Sequence, residues 1–219
     1  KAGIPVIMVV GNHDTPNAEG KANTLDIYSA LEIDNVFVSR KPELLNISTQ
    51  SGNLQVITLP WMQKADYKKI GDKLLSMYEH IRPSTSSGPA ILIGHAEIEG
   101  SSFGSEKGLA LVNDTTLPLS LLTEKKLSYV ALGHIHKFQE LAKKPFVVYA
   151  GSPERIDFGE AKEEKGFVII ELSVISRSPR EAGQSSDKFE TKYEFIKTPA
   201  RKFIQIDIDL KNDDENPTE

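Results

Sequence analysis

The chain has 219 residues, 39% hydrophobic and 26% charged, with a formal net charge of −5 and no cysteine. That is enough for one full domain and part of a second around a sizeable core, and it excludes disulfides, thiolate metal sites and cysteine nucleophiles. No apolar run reaches the roughly 18 residues of a membrane-spanning helix, so no membrane partner is expected, and the lack of cysteine fits a reducing, cytoplasmic location.

Residues 4–10 (IPVIMVV) are a continuous β-branched run, the pattern of a strand covered on both faces. The run breaks at Gly11-Asn12-His13-Asp14, followed by a loop through Gly20. Leu25, Tyr28 and Leu31 recur at helical spacing and predict a short amphipathic helix over 24–32. Short strands are predicted at 35–39, 44–48 and 54–59, the last closed by Pro60-Trp61. Residues 67–81 carry Ile70, Leu74, Leu75, Met77, Tyr78 and Ile81, a helix with a core-facing stripe, and His80 lies where the helix dipole favours a cation. Residues 83–88 (PSTSSG) read as a loop.

Strands follow at 90–94 (AILIG), ending at His95, and at 129–132 (YVAL), ending in Gly133-His134-Ile135-His136. Two more, at 138–141 and 146–150, flank a Lys143-Lys144-Pro145 turn. A turn-rich stretch over 151–160 leads to a strand at 166–174. Residues 176–186 read as a linker or exposed hairpin, and 203–210 (FIQIDIDL) alternate as a half-buried strand should. Residues 213–219 are a charged tail, and no internal repeat is present. Short apolar strands alternating with helices, then a mostly-strand end, predict an α/β domain with a mixed sheet.

Residues 1–150 hold 15 Lys/Arg against 15 Asp/Glu, whereas 151–219 hold 11 against 16, so the acidic excess sits in the C-terminal third. Such a balance argues poorly for nucleic-acid binding, which normally asks for a basic face, although divalent cations would add positive charge that the count omits.

Singly, each histidine has a structural explanation. Jointly, three strands end in glycine followed by metal-competent residues: Gly11-Asn12-His13-Asp14, Gly94-His95 and Gly133-His134-Ile135-His136. Glycine allows a sharp turn and a close approach at a strand end. In an extended Gly-His-x-His, both imidazoles point the same way. Imidazoles with an amide oxygen suit Mn, Fe, Zn or related ions rather than Ca.

In that order, GNHD, GH and GHIH resemble the calcineurin-like metallophosphoesterase superfamily, and two further stretches, GSPERIDFGE (151–160) and TPARKF (198–203), are similar to its SbcD-type DNA exonuclease subunits, relatives of the meiotic recombination nuclease. The resemblance implies an α/β/β/α sandwich over 1–174 as the nuclease domain, and over 175–219 the start of a small capping domain with the charged tail. It also implies metal-dependent hydrolysis of DNA phosphodiesters as the nuclease subunit of an SbcCD-type double-strand-break repair complex. Two divalent ions, Mn2+ foremost, would be the cofactors. Asn12, His95 and His134 would hold one ion and His136 the other. His13 would face the scissile phosphate and assist the leaving oxygen, with Asp14 holding His13 in its tautomer. DNA, an SbcC-type ATPase and a second copy of the chain would be the partners.

The superfamily's D-x-H and G-D-x-x-D motifs would precede Gly11. This chain starts only ten residues earlier, without a methionine, and is read as part of something longer, its first strands missing. One ion then keeps three ligands and the other one, so the chain alone is expected to be inactive or nearly so. Two alternatives stay open: a phosphodiesterase or phosphatase acting on small molecules or phosphoproteins, and a non-catalytic scaffold. Arg155 reads best as an ion-pair partner, Lys125-Lys126 and Lys143-Lys144 as solvated faces, residues 101–105 as a surface loop, and Trp61 as packing.

Overall fold

The computed structural model describes residues 3–15, 23–81, 88–104, 116–176 and 188–208. Its centre is a six-stranded mixed sheet of β3 (Glu43–Thr49), β4 (Gly52–Leu59), β5 (Ala90–His95), β6 (Leu127–Gly133), β7 (Gln139–Lys143) and β8 (Phe146–Tyr149), in the order β3-β4-β5-β6-β8-β7. The four inner strands are parallel, and the edges β3 and β7 are antiparallel to their neighbours.

Both faces of the inner strands are covered, which is why they read as mostly apolar runs. On one face, Ile57, Leu59, Leu92, Val130, Leu132, Val147 and Tyr149 meet α2 (Lys64–His80), which buries Tyr67, Ile70, Leu74 and Tyr78. Each such apolar side chain is worth about 1.5–3 kcal/mol on full burial. Leu75, expected in the stripe, is instead 52% exposed, because the buried positions follow the 67, 70, 74, 78 line. Lys126 Nζ donates to the Tyr78 carbonyl at 2.8 Å, and His80 Nδ1 lies 2.7 Å from the Ser76 carbonyl, so both side chains sit at the helix's negative end.

The other face, carrying Val56, Ile91, Tyr129 and Val148, is covered by two smaller pairs of strands. The parallel pair β1 (Val6–Val9) and β2 (Val36–Ser39) contributes Ile7 and Phe37. The antiparallel hairpin β9 (Gly166–Ser176) and β10 (Lys188–Lys197) contributes Val168, Ile170, Leu172 and Tyr193. A short helix, α1 (Asp26–Ala30), lies against β2, completing an α/β sandwich of the expected class.

Three differences from the sequence reading have physical causes. β10 alternates Phe189, Thr191, Tyr193 and Phe195 inward with Glu190, Lys192 and Glu194, and those charges mask the strand pattern. β9 runs through Ser176, past the strand end predicted at 174. Residues 203–208 form no strand, although they alternate: Ile204, Ile206 and Ile208 are 74%, 78% and 76% exposed. Alternation makes a strand only where a ladder partner exists, and none pairs with this stretch among the described residues. The loop expected at 83–88 (except Gly88), nearly all of the expected linker and the tail lie outside the described residues, as does Ser105.

Candidate metal centre

The three glycine-ended motifs meet at one edge of the sheet. His95 and Gly133 are register partners at the ends of parallel β5 and β6. Beyond β1, Val10 N–H donates to the Ser39 carbonyl at 3.0 Å, and Trp61 N–H, just past β4, donates to the Val10 carbonyl at 2.8 Å. All these carboxyl ends therefore open on the same side, where ligands of such sheets gather.

His95 is the hub. Its Nε2 lies 2.9 Å from Asn12 Oδ1, and its ring centroid is 5.2 Å from that of His134. The glycines make room for it: a Cβ on Gly11 would stand 2.8 Å from His95 Cε1, and one on Gly133 would stand 3.3 Å from Nδ1. Burial lowers the His95 pKa to about 4, with His134, His13 and His136 pushing the same way and Asp14 opposing them. The imidazole is therefore neutral near pH 7, as a metal ligand must be.

His134 and His136 do not lie in an extended Gly-His-x-His. β6 ends at Gly133, and His134 adopts φ +98°, a conformation uncommon for any residue but glycine. The chain bends there, so His134 faces His95 and the Phe103 ring at 6.3 Å. His136 Nδ1 instead meets Glu160 Oε1 at 2.9 Å. Burial alone would raise the Glu160 carboxyl, but hydrogen bonds from Lys165, the Ile156 N–H and His136 outweigh it and hold it below the ordinary range.

On the first turn, His13 is exposed. Asp14 Oδ2 accepts from the Gly11 N–H at 2.8 Å, so Asp14 braces the turn that carries Asn12 and His13. Arg155 pairs with no acid among the described residues. Its guanidinium instead donates to the carbonyls of Glu160, Glu163, Ala200 and Arg201. Ser102, in the loop after His95, is latched to Gln139 by its N–H and carbonyl, each at 2.9 Å.

Among the described residues, no three His, Asp or Glu side chains group as a metal site. The trio of Asn12, His95 and His134 supplies an amide oxygen and two imidazoles, a donor set that fits a first-row divalent ion. The sequence reading placed the loop of Phe103 beside the site but missed Glu160 and Lys165. Glu160 closes the GSPERIDFGE stretch, but nothing in the local pattern marks either it or Lys165 as buried.

Residues 1–138 match the calcineurin-like phosphoesterase family. Among curated proteins, the SbcD subunit of the nuclease SbcCD from Staphylococcus epidermidis is 26% identical over 180 residues, covering 77% of this chain and 46% of that protein. Its counterpart from Staphylococcus saprophyticus is 24% identical over 183 residues, again 77% of this chain and 46% of the relative. The chain thus spans about half the length of the curated relatives it matches.

Proposed function

Since this chain belongs to the calcineurin-like phosphoesterase family, we propose that it carries part of the active centre of a metal-dependent DNA nuclease. The observation that carries the reading is the convergence of Asn12 Oδ1 on His95 Nε2 at 2.9 Å, with the His134 ring 5.2 Å from that of His95, at a shared strand-end edge. Asn12, His95 and His134 are assigned to one divalent ion and His136 to a second, with Mn2+ the ion for both. Such ions supply positive charge to the phosphodiester oxygens and activate water as the nucleophile.

The chain's own residues do the rest. His13, exposed on the turn that carries Asn12, is assigned to stabilise or protonate the departing oxygen. Asp14 fixes that turn through the Gly11 N–H, and so sets where Asn12 and His13 stand. DNA is the assigned substrate and an SbcC-type ATPase the assigned partner, because the curated relatives are named as SbcCD nuclease subunits. Exposed Ile27, Leu31 and Ile33, in and just after α1, suit contact with a second copy.

Calorimetric Mn2+ titration tests the donor set: Asn12→Ala, His95→Ala and His134→Ala should each weaken binding at least about tenfold. In the protein that carries this chain, His13→Ala should slow DNA hydrolysis by about 10²–10⁴-fold while leaving Mn2+ affinity unchanged. Faster cleavage of a nucleotide monoester than of DNA ends would overturn the nuclease assignment in favour of a small-molecule phosphatase.

A further inference from the structure

The GSPERIDFGE and TPARKF stretches supply none of the assigned metal donors, yet they converge on one of them. Glu160 closes the first stretch with its side chain 1% exposed. Its Oε1 meets His136 Nδ1 at 2.9 Å, while Oε2 accepts from Lys165 Nζ at 2.8 Å and from the Ile156 N–H at 3.0 Å. Lys165, 0% exposed, points its ammonium at Glu160, at Glu163 Oε2 (2.9 Å) and at the His136 carbonyl (3.0 Å), matching its three donors.

An outer frame holds this cluster. Arg155 Nε donates to the Glu160 carbonyl at 3.2 Å, and its Nη2 to the Glu163 carbonyl at 2.8 Å. Its Nη1 reaches the Arg201 carbonyl at 2.8 Å, and Thr198 N–H donates to the Lys165 carbonyl at 2.9 Å. Ser152 N–H donates to the His136 carbonyl at 3.0 Å. Gly151 passes so close that a Cβ there would stand 2.8 Å from the same oxygen, at φ +75°.

Two physical points follow. An ionised carboxylate only accepts, so a neutral imidazole bonded to it through Nδ1 carries its proton on Nδ1 and its lone pair on Nε2. The Lys165 ammonium, with the Arg155 guanidinium bonded to the Glu160 and Glu163 carbonyls, favours the ionised form of Glu160.

We propose that Glu160 is a positioning residue: anchored by Lys165 and the Arg155 frame, it holds His136 in the Nδ1–H tautomer and presents Nε2 as the donor to a divalent cation. The inference rests on the metal-centre reading above. It assigns the two stretches a shared task, coupling residues 198–201 to the orientation of a metal-binding imidazole.

The test is long-range 1H–15N spectroscopy of the histidines in the metal-free full chain at a pH where the His136 ring is neutral, paired with Mn2+ calorimetry of the protein that carries this chain. His136 should show a protonated Nδ1 and an unprotonated Nε2. Glu160→Gln, of the same shape, should mix the tautomers and weaken Mn2+ binding about 10–100-fold, and Glu160→Asp should recover part of the affinity. A wild-type His136 protonated on Nε2, or a folded Glu160→Gln chain with unchanged tautomer and affinity, would overturn the proposal. The wild-type spectrum decides the point even if the variants do not fold. Absence of Mn2+ binding by the wild-type protein that carries this chain, with the Nδ1–H tautomer present, would sink the metal reading instead and leave Glu160's hold on His136 standing.

Discussion

Replacing Gly11 by alanine tests whether the His95 ring is confined as described. Gly11 lies outside the left-handed region, so alanine meets no backbone penalty there. By restricting the unfolded chain, the change would on its own stabilise the fold by about 0.4–1 kcal/mol. Against this, the new Cβ would stand 2.8 Å from His95 Cε1 and 3.1 Å from both ring nitrogens. The ring cannot retreat freely, because Nε2 is bonded to Asn12 at 2.9 Å and any displacement stretches that contact. Overpacking of this kind costs about 1–3 kcal/mol, so the net expectation is a loss of about 1–2 kcal/mol. For a chain of this length that lowers Tm by roughly 2–8 °C, measurable by circular dichroism. Displacing Nε2 from Asn12 should also weaken Mn2+ binding by about tenfold. Gly133→Ala, where the approach is looser, should do less of both. If Gly11→Ala melts at or above the wild-type temperature and binds Mn2+ unchanged, the ring is not boxed in and the reasoning fails.

Tyr149→Phe removes a hydroxyl that donates to the Ala96 carbonyl at 2.7 Å and accepts from the Ile98 N–H at 3.0 Å, both buried. Urea titration should show a loss of about 1–3 kcal/mol, and a change under about 0.5 kcal/mol would mean water replaces the hydroxyl. Lys165→Met leaves two carboxylates beside each other without their ammonium, and should destabilise the fold by about 3–5 kcal/mol; wild-type stability in urea at pH 7 would refute a charged cluster. Burial pushes the hydroxyls of Tyr78, Tyr129 and Tyr149 well above the usual tyrosine value, and that of Tyr193 up to about 12. Because these folded-state values are raised, the stabilisation is fully present below about pH 10 and is lost as the unfolded chain ionises first above it. The three deeply buried hydroxyls together predict a fall of about 4 kcal/mol per pH unit there. Absorbance at 295 nm should show them ionising only with unfolding, and smooth titration near pH 10 in the folded state would contradict their burial. Arg155→Lys, which cannot span four carbonyls, should speed amide exchange across 151–166 and 198–201 while sparing α2; unchanged exchange would mean that the guanidinium is dispensable.

Local pattern carries the reading where a residue's environment follows from its neighbours in sequence. Four parallel strands covered on both faces have to be largely apolar, so 54–59, 90–94, 129–132 and 146–150 are legible as core, with buried Gln55 and Thr58 the polar exceptions in the first. Glycine followed by histidine at strand ends is equally legible, because a close approach demands the missing side chain beside the ligand-bearing one. Asn12, His95 and His134, 83 and 39 residues apart along the chain, are brought together because parallel strands put all their carboxyl ends on one side. The same local logic errs at 203–208, where alternation exists but no partner strand stands among the described residues, and at β10, where solvent-facing charges hide a strand that Tyr129 and Phe146 complete through Tyr193.

By itself, then, the sequence determined where the inner strands lie, the glycine–histidine turns that follow them and the family pattern, all properties of short windows. Only the tertiary structure decided that Glu160 and Lys165 are buried, that His136 turns toward that carboxylate while His134 bends toward His95, and that Arg155 binds carbonyls instead of an acid. Those outcomes depend on which charged side chains are excluded from water together, and burial of that kind is fixed by packing between distant segments rather than by any periodicity along the chain.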